Sequence, residues 1–465
     1  MAVEAAALDA APPVLPDTPD GGDIRARIDV RAWLRIGVVA AVPLLGLLIC
    51  MAATRTNVLV PQADRPVPSW MAGPLRYVGF DTPTGVAIGM MLLLFAAYVV
   101  AVVVAERVPP RTVLIAVIAF NVIVLLGPPL FSTDVFSYQM YARLFASYHL
   151  NPYTHGPSAA SLDSLYPYIG AKWISTPSVY GPLFTLASAA LAGASITASE
   201  FVFKLVAALA SCGTLFLIWR CARLRNLNPT RAIALFGLNP LVTLYGVGGG
   251  HNDLLMLLFT TASIYALLSR RNVVGGASII ISAATKLTGG VLLPFAMADR
   301  THPDDMGRRH RNILLGAAAA AIVIAIPSFL LFGGGLFKLP STLRDVQSQG
   351  IWQSVPGFFL NLTGNSESHT ITSVLGLIFA GVCLWLLWRV WHGRMDWLEG
   401  AGWATFMMLV TAGSLLPWYV SWLLPLVGLT SSRRLWRASL WMTGVATLMT
   451  VTTYLSNGIP LLKIF

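Results

Sequence analysis

Residues 112–134 read TVLIAVIAFNVIVLLGPPLFSTD, and this stretch decides the fold class. Its apolar part, 112–131, is long enough to cross the hydrocarbon core of a membrane as a helix, and a lone carboxylate, Asp134, follows it. Comparable runs recur along the chain. Helices satisfy their own backbone hydrogen bonds in lipid, whereas β-barrel strands would alternate apolar and polar residues. We therefore predict an all-α polytopic membrane protein.

The composition agrees with that fold class. Of 465 residues, 56% are hydrophobic and only 11% are charged, against roughly 25% charged in soluble domains. The net charge of +11 does not indicate a nucleic-acid partner, because most arginines lie in short loops between apolar runs, where they set topology. The four cysteines lie in or beside apolar segments without CxxC spacing, so neither a disulfide framework nor a zinc site is expected.

The apolar runs predict about 13 membrane spans. They cover residues 33–53, 85–106, 112–131, 200–219, 231–247, 253–269, 273–285, 288–298, 313–332, 371–389, 398–415, 417–429 and 438–455. The pair 273–285 and 288–298 is interrupted, and short, interrupted helices often mark a site within the membrane. We predict two regions: a disordered cytoplasmic tail at 1–28, without a cleavable signal peptide, and one transmembrane domain at 29–465.

The basic residues predict the orientation. With the N-terminus in the cytoplasm, nearly every arginine cluster falls on the cytoplasmic side, provided that 273–298 crosses twice and that 181–195 lies on the outer surface as an interfacial helix. The large outer segments are then 54–84, 132–199 and 333–370. The unusual motifs all fall in outer segments, so we expect a site on the extracytoplasmic side of the cell membrane.

Asp134 opens the outer segment 132–199. After it, Phe136, Met140 and Leu144 share one helical face, which predicts a helix lying on the membrane surface. The carboxylate then has two interpretations. It can cap this helix, or it can act as a general base that deprotonates an acceptor hydroxyl.

Two other outer turns carry ionisable residues. In Gly248–Asp253 the glycines allow a tight turn or the close approach of a ligand. His251 and Asp253 are costly at the hydrocarbon edge unless they face an aqueous cavity, although a plain turn with a helix cap is the simpler alternative. Lys286 lies at the interruption of 273–298, far from the cytoplasmic arginines. It either binds a phosphate or extends to the membrane interface.

Aromatic and basic residues complete the outer face. Trp418 and Tyr419 either form a wall for sugar rings or a lipid chain, or belong to an aromatic belt at headgroup level. In the loop 338–359, Arg344 either contacts a phosphate or is simply solvated.

These groups suffice for sugar transfer from a lipid phosphate. Glycoside hydrolases use two carboxylates because their alkoxide leaving group is poor, whereas phosphate already leaves readily. One carboxylate can therefore deprotonate the acceptor while cations stabilise the charge that develops on the phosphate. Attack opposite to the phosphate inverts the anomeric centre, so a β-linked donor gives an α-linked product.

Short motifs stand in a fixed order between residues 130 and 430. They are Thr133–Tyr138, Tyr141–Leu144, Asn151–Tyr153, Tyr180–Leu183, Leu238–Pro240, Gly250–Asp253, Ala284–Lys286 and Pro417–Tyr419. The set resembles the GT-C glycosyltransferases, which use polyprenyl-phosphate sugars outside the cytoplasm. More narrowly, it resembles the actinobacterial α-(1→6)-mannopyranosyltransferases of lipomannan assembly. The resemblance implies a GT-C-type helical bundle, Asp134 as catalytic base, a polyprenyl-phosphate groove near Lys286 and no nucleotide sugar.

We accordingly predict an inverting mannosyltransferase that transfers mannose from polyprenyl-phosphomannose to a lipid-linked mannan or related cell-envelope glycan. Its partners are the lipid donor, the glycan acceptor and membrane lipids. No DxD pair is present, so neither a metal nor another cofactor is expected. With Asp134 as the catalytic residue, the predicted phosphate ligands are Lys286, Arg143 and Arg344. The predicted substrate-binding residues are Tyr138, Tyr141, Asn151, Tyr153, Tyr180, His251, Asn252, Asp253, Trp418 and Tyr419.

Two alternatives stay open on the sequence. The first keeps the fold but uses another polyprenyl-phosphate sugar, such as arabinose or glucose. The second is a lipid or solute transporter, which would have inverted internal repeats and opposed ionisable residues along a pore. The sequence shows neither feature, and its polar groups gather at one face.

Overall fold

A computed structural model describes residues 30–55, 57–300, 305–348, 354–357 and 369–458. Every regular element within these ranges is a helix, which confirms the predicted all-α class. The predicted tail at 1–28 and part of the predicted outer segment 333–370 lie outside the described residues.

The α-helices are numbered here in chain order. They are α1 (Val30–Ala52), α2 (Thr84–Val104), α3 (Pro110–Leu126), α4 (Asp134–Ala146), α5 (Pro182–Ser188), α6 (Ile196–Leu224), α7 (Pro229–Gly237), α8 (Asp253–Leu268), α9 (Asn272–Thr285), α10 (Leu292–Ala298), α11 (Met306–Phe332), α12 (Leu339–Ser348), α13 (His369–Trp391), α14 (Trp397–Thr411), α15 (Leu424–Gly428) and α16 (Arg433–Gly458). A π-helix spans Leu241–Val247, and 3-10 helices include Ser69–Tyr77, Ala171–Trp173, Leu287–Val291, Gly333–Lys338 and Pro417–Trp422.

Several of these helices have the character of membrane spans. The stretches long and apolar enough to cross a bilayer are Val30–Ala52, Thr84–Arg107, Ile196–Leu224, Met306–Ser348 and His369–Trp391. In the last of them only 6% of the most apolar window is buried inside the protein, so its apolar side chains face outward. An extended apolar exterior of this kind is typical of a surface covered by lipid. The count of about 13 spans stays a prediction.

Proline and glycine determine the path from α3 to α4. Pro110 occupies the first turn of α3, where a missing N–H costs no helical hydrogen bond. The helix ends at Gly127, and the two prolines that follow lack the N–H that another turn would need. The chain then passes Phe131, whose φ is +60°, and α4 begins at Asp134. The break after α3 therefore places the carboxylate at the end of the helical bundle.

Two hydrophobic cores pack around this point. The main core joins side chains of α1, α2 and α3 with those of α6 to α8 and of the C-terminal helices α13 to α16. The second core surrounds α4 and contains Phe136, Tyr138, Leu144, Tyr180 and Phe203. Residues of the segment 132–199 thus share a second core with the first part of α6.

The second core corrects the interpretation of α4 as a surface helix. Residues 135–142 and Leu144 are all buried, so other segments of the chain enclose the helix. Polar positions are covered as well, since Gln139 Nε2 donates to Ala194 O at 2.8 Å. The prediction that one apolar face of this helix lies on the membrane surface is therefore wrong.

The interruption between α9 and α10 is confirmed. Lys286 follows the last residue of α9 in an extended conformation, with φ −153° and ψ 126°, and a 3-10 helix precedes α10. Gly181 packs onto this break so closely that an added Cβ would lie 2.1 Å from Ala284 O. Its N–H donates to Thr285 O at 3.1 Å. Glycine at this position therefore lets the chain before α5 pack directly beside Lys286.

Candidate active site

Asp134 is the first residue of α4, and its side chain is 16% exposed. The N-cap of the helix is Thr133, and no side chain makes a capping hydrogen bond there. The backbone N–H of Asp134 donates to Ser132 Oγ at 3.2 Å. The alternative in which Asp134 serves only as the N-cap does not match this geometry, so its carboxylate is available for another role.

His251 lies against the Asp134 carboxylate. Its Nδ1 is 3.2 Å from Asp134 Oδ2, which is ion-pair distance when the imidazole is protonated, and its fully buried ring stacks on Trp418 with 3.9 Å between centroids. The glycine turn makes this approach possible. Gly250 has φ +60°, and an added Cβ there would lie 2.5 Å from Val135 Cγ1.

The local environment keeps Asp134 ionised. Burial by itself would raise the pKa of this carboxyl. The contact with His251 and the positive charge of Lys286 outweigh burial and hold the pKa below its ordinary value of 3.8. At neutral pH the group is therefore a carboxylate able to accept a proton.

Lys286 and Asp253 form a second charged pair close by. Lys286 Nζ is 2.7 Å from Asp253 Oδ1, and the same oxygen accepts a hydrogen bond from Trp422 Nε1 at 2.6 Å. The ammonium also lies over the rings of Tyr419 and Trp422, at 4.7 and 5.1 Å from their centroids. The aromatic residues therefore hold the cation at a fixed position, and Lys286 does not extend freely to solvent, since its side chain is only 15% exposed.

Tyr138 and Asn252 connect the two charged pairs. Asn252 lies between His251 and Asp253 in the sequence, and its N–H donates to Tyr138 Oη at 3.3 Å. Tyr138 is buried, and its ring meets that of Tyr180 edge-on at 4.8 Å. Trp418, which stacks on His251, also meets Tyr419 edge-on at 5.7 Å. One contiguous cluster therefore contains most of the residues predicted from the outer turns.

Three predicted substrate-binding residues make hydrogen bonds within or at the border of the segment 132–199. Tyr141 Oη donates to Thr176 O at 2.7 Å. Tyr153 Oη donates to Tyr180 O at 3.0 Å. Asn151 Nδ2 donates to Phe332 O at 2.5 Å and so ties the segment to the end of α11. A role of these residues in binding substrate stays a prediction.

Two of the predicted phosphate ligands do not join the cluster. Arg143 Nη1 is 2.5 Å from Asp163 Oδ1, and the carboxylate also accepts a hydrogen bond from Tyr148 Oη at 2.8 Å. Arg344 is exposed on α12. Of the predicted cations, the structure brings only Lys286 beside Asp134, Asp253 and the aromatic residues.

A cavity of about 270 Å³ borders Asp134, and His251 is not among its lining residues. Its lining residues are Gln62, Phe131, Ser132, Thr133, Asp134, Gly170, Ala171, Lys172, Trp173, Tyr245, Leu416, Pro417, Trp418 and Thr450. Sequence patterns do not single out Gln62, Lys172 or Trp173, which come from distant loops. The close approach of Gly170 to Thr133 brings residues 172 and 173 to the cavity, and the hydrogen bond from Phe131 N to Leu59 O brings the loop of Gln62. Trp422, in contrast, belongs to the aromatic turn Pro417–Trp422, which can be recognised in the sequence.

The described ranges contain no group of three or more His, Cys, Asp or Glu side chains arranged to hold a metal ion. The expectation that no metal is required stays a prediction. The chemistry that the residues themselves offer is a deprotonated carboxylate at a cavity wall, a buried imidazole behind it and a fixed ammonium nearby.

Comparison with known proteins gives a consistent result. A family model described as "Alpha-(1->6)-mannopyranosyltransferase, N-terminal domain" matches residues 34–300, and a second, described as "MptB C-terminal domain", matches residues 348–462. Alpha-(1->6)-mannopyranosyltransferase A of Mycobacterium tuberculosis is 29% identical over 323 residues, covering 64% of this chain and 61% of the relative.

Two further relatives show similar levels of identity. A probable alpha-(1->6)-mannopyranosyltransferase of Mycolicibacterium smegmatis is 28% identical over 65% of this chain and 62% of its own length. Alpha-(1->6)-mannopyranosyltransferase B of Corynebacterium glutamicum is 24% identical over 64% of this chain and 55% of its own length. The chain thus spans less than two thirds of the length of these relatives.

Proposed function

Because the chain belongs to the alpha-(1->6)-mannopyranosyltransferase family, we propose that it is an inverting mannosyltransferase that uses polyprenyl-phosphomannose. The acceptor is a lipid-linked mannan or related glycan of the cell envelope. The observation that carries the proposal is the position of Asp134, an ionised carboxylate at a cavity wall with His251 at 3.2 Å and the Lys286 cation in the same cluster.

In the proposed reaction, an acceptor hydroxyl enters the cavity and donates its proton to Asp134. Its oxygen forms a bond to the anomeric carbon of the donor while the bond from that carbon to the phosphate oxygen breaks. The phosphate leaves with the electron pair of that bond as polyprenyl phosphate. General-base assistance of this kind typically contributes about 10²–10⁴ in rate.

His251 has a positioning role in this scheme. Its buried ring is fixed between Trp418 and the carboxylate, so Asp134 keeps one orientation toward the cavity. The same contact favours the ionised form of the carboxylate, which is the form that accepts the proton.

Lys286 is the proposed ligand of the donor phosphate. Charge-assisted hydrogen bonds to a phosphate are stronger than neutral ones, and a cation fixed before the reaction stabilises the leaving charge without further rearrangement. Asp253 and the rings of Tyr419 and Trp422 supply that fixed position. Arg143, whose guanidinium is paired with Asp163, and the exposed Arg344 are weaker candidates for the same role.

The proposal includes the membrane arrangement. Following the distribution of arginines, about 13 spans would place the N-terminus in the cytoplasm and the segment 132–199 on the outer face. A lipid-phosphate donor suits such a site, because its prenyl chain stays in the bilayer while its sugar reaches the interface. In this arrangement Asp134, Lys286 and the cavity all lie at the outer end of the bundle.

The test is donor selection by the purified protein. The protein in lipid nanodiscs would receive an alkyl α-(1→6)-dimannoside as acceptor and, in separate reactions, polyprenyl-phosphomannose, polyprenyl-phosphoarabinose, polyprenyl-phosphoglucose or GDP-mannose. We expect a trimannoside from polyprenyl-phosphomannose alone, with an α-linkage by nuclear magnetic resonance. Transfer only from the pentose, from glucose or from the nucleotide sugar contradicts the proposal.

A further inference from the structure

Contacts link the Asp134 carboxylate to the Lys286 ammonium. They run from His251 to Trp418, from Trp418 to Tyr419 and from Tyr419 to Lys286. Asp134 and Trp418 line the cavity, whereas Lys286 does not. The cation therefore stands outside the lining of the cavity that the carboxylate borders.

Aromatic rings and a few polar groups line the cavity. Phe131 and Tyr245 are stacked at 4.2 Å, and Trp418 follows at 5.9 Å from Tyr245. Trp173 and Lys172 belong to the same lining. Binding sites for small uncharged molecules are typically built from such surfaces, and the C–H faces of a sugar ring pack well on them.

Gln62 is held in place at the cavity by backbone carbonyls of nearby residues in the chain. Its Nε2 donates to Val60 O at 2.8 Å and to Asn57 O at 3.0 Å. The neighbouring Leu59 O accepts from Phe131 N at 2.9 Å, which attaches this loop to the cavity wall. The amide is therefore oriented in advance, and its Oε1 can accept a hydrogen bond from a sugar hydroxyl.

The loop that carries Trp173 is fixed by a close backbone contact. A Cβ added to Gly170 would lie 2.9 Å from Thr133 Oγ1, so only glycine allows the loop to lie directly beside the residue before Asp134. Within the loop, Trp173 N donates to Gly170 O at 2.8 Å. The indole thus has a defined position in the cavity lining.

From this arrangement we propose that the cavity beside Asp134 binds the terminal sugar of the acceptor, with Trp173 and Gln62 as acceptor-binding residues. The donor phosphate lies at Lys286, outside this lining. This inference rests on the proposed function for the identity of the acceptor as a mannoside. Its geometric part, an acceptor in the cavity and a donor phosphate at Lys286, does not depend on which donor sugar is used.

The inference is tested by measuring acceptor binding and donor binding separately. The full-length protein in nanodiscs would be titrated by calorimetry with an alkyl α-(1→6)-dimannoside without donor, and with a short-chain polyprenyl phosphate without acceptor. We expect Trp173→Ala and Gln62→Ala each to weaken dimannoside binding at least about fivefold while polyprenyl phosphate binding stays as in the wild type. Trp173→Phe keeps a flat ring and should recover most of the affinity.

The matched control is Trp70→Ala, which removes an indole that is 48% exposed in another predicted outer segment and outside the cavity lining. It should change neither titration. A wild-type protein that does not bind the dimannoside, or a Trp173→Ala protein that binds it normally, overturns the inference. So does a Lys172→Gln protein that loses polyprenyl phosphate binding, because the donor phosphate would then lie in the cavity.

The proposed function fails by a different result. Wild-type protein that transfers no mannose from polyprenyl-phosphomannose contradicts the function before any variant is compared. The dimannoside titration still decides whether the cavity binds the acceptor, since it requires neither donor nor turnover.

Discussion

Replacing Lys286 with alanine should destabilise the protein as well as weaken donor binding. In the native protein its Nζ lies 2.7 Å from Asp253 Oδ1, and the side chain of Asp253 is only 1% exposed. Removing one partner of such a pair leaves an uncompensated buried charge, at a typical cost of about 3–5 kcal/mol. Because Lys286 is 15% exposed and Trp422 still donates to the carboxylate, we expect the lower end, about 3 kcal/mol.

A double variant separates the two effects. In Asp253→Asn/Lys286→Gln both charges are gone, so no unpaired buried charge is left and most of the stability lost in Lys286→Ala should return. Donor binding should not return with it. A hydrogen bond to a charged group contributes about 1.5–3 kcal/mol, which corresponds to about a 10- to 100-fold weaker Kd for polyprenyl phosphate.

The assay combines thermal unfolding in nanodiscs, followed by intrinsic fluorescence, with titration of a short-chain polyprenyl phosphate. Lys338→Gln is the matched control, because Lys338 is exposed at the end of a 3-10 helix and lies outside the cluster. If Lys286→Ala unfolds at the wild-type temperature, the stability argument is refuted. If the double variant binds polyprenyl phosphate as tightly as the wild type, Lys286 is not the phosphate ligand.

Three further variants probe the surroundings. In His251→Gln the imidazole no longer opposes the effect of burial, so the pKa of Asp134 should rise from its lowered value. The acid limb of the kcat/KM profile should then move to higher pH. An acid limb that does not move contradicts the positioning role of His251. Gly250 has a φ of +60°, so Gly250→Ala should lower the free energy of unfolding by at least about 1–2 kcal/mol, measured by thermal unfolding. Gly334→Ala is the control, because no atom lies near the added Cβ, and it should leave the stability unchanged. Arg143→Gln loses a partly buried ion pair and should lower stability by about 2 kcal/mol with donor affinity kept. Weaker donor binding at unchanged stability would restore its predicted phosphate role.

Features fixed by neighbours in the sequence could be predicted. The helix break at Lys286, the glycine turn before His251 and the start of α4 at Asp134 each depend on a few adjacent residues. Carboxylate and imidazole side chains at the ends of apolar runs are also rare enough to mark a site without a structure. Their grouping into one cluster follows because the predicted turns lie at the same end of the bundle.

Features fixed by distant contacts could not be predicted. The partner of Arg143 is Asp163, which lies in a loop whose path the sequence does not indicate. The helical period of α4 suggests a surface helix, but segments up to Phe203 in α6 fold over it and bury its polar positions too. Trp173 reaches the cavity only through the close contact of its loop with Thr133.

If Asp134 is the base for the acceptor hydroxyl, the Asp134→Asn variant should lose most of its turnover. Asparagine keeps the size of the side chain and its place beside His251 but accepts no proton at neutral pH. With purified protein, polyprenyl-phosphomannose and the dimannoside, we predict that kcat falls at least about 10²-fold while polyprenyl phosphate binding stays close to the wild-type value. Wild-type turnover by Asp134→Asn would contradict the account.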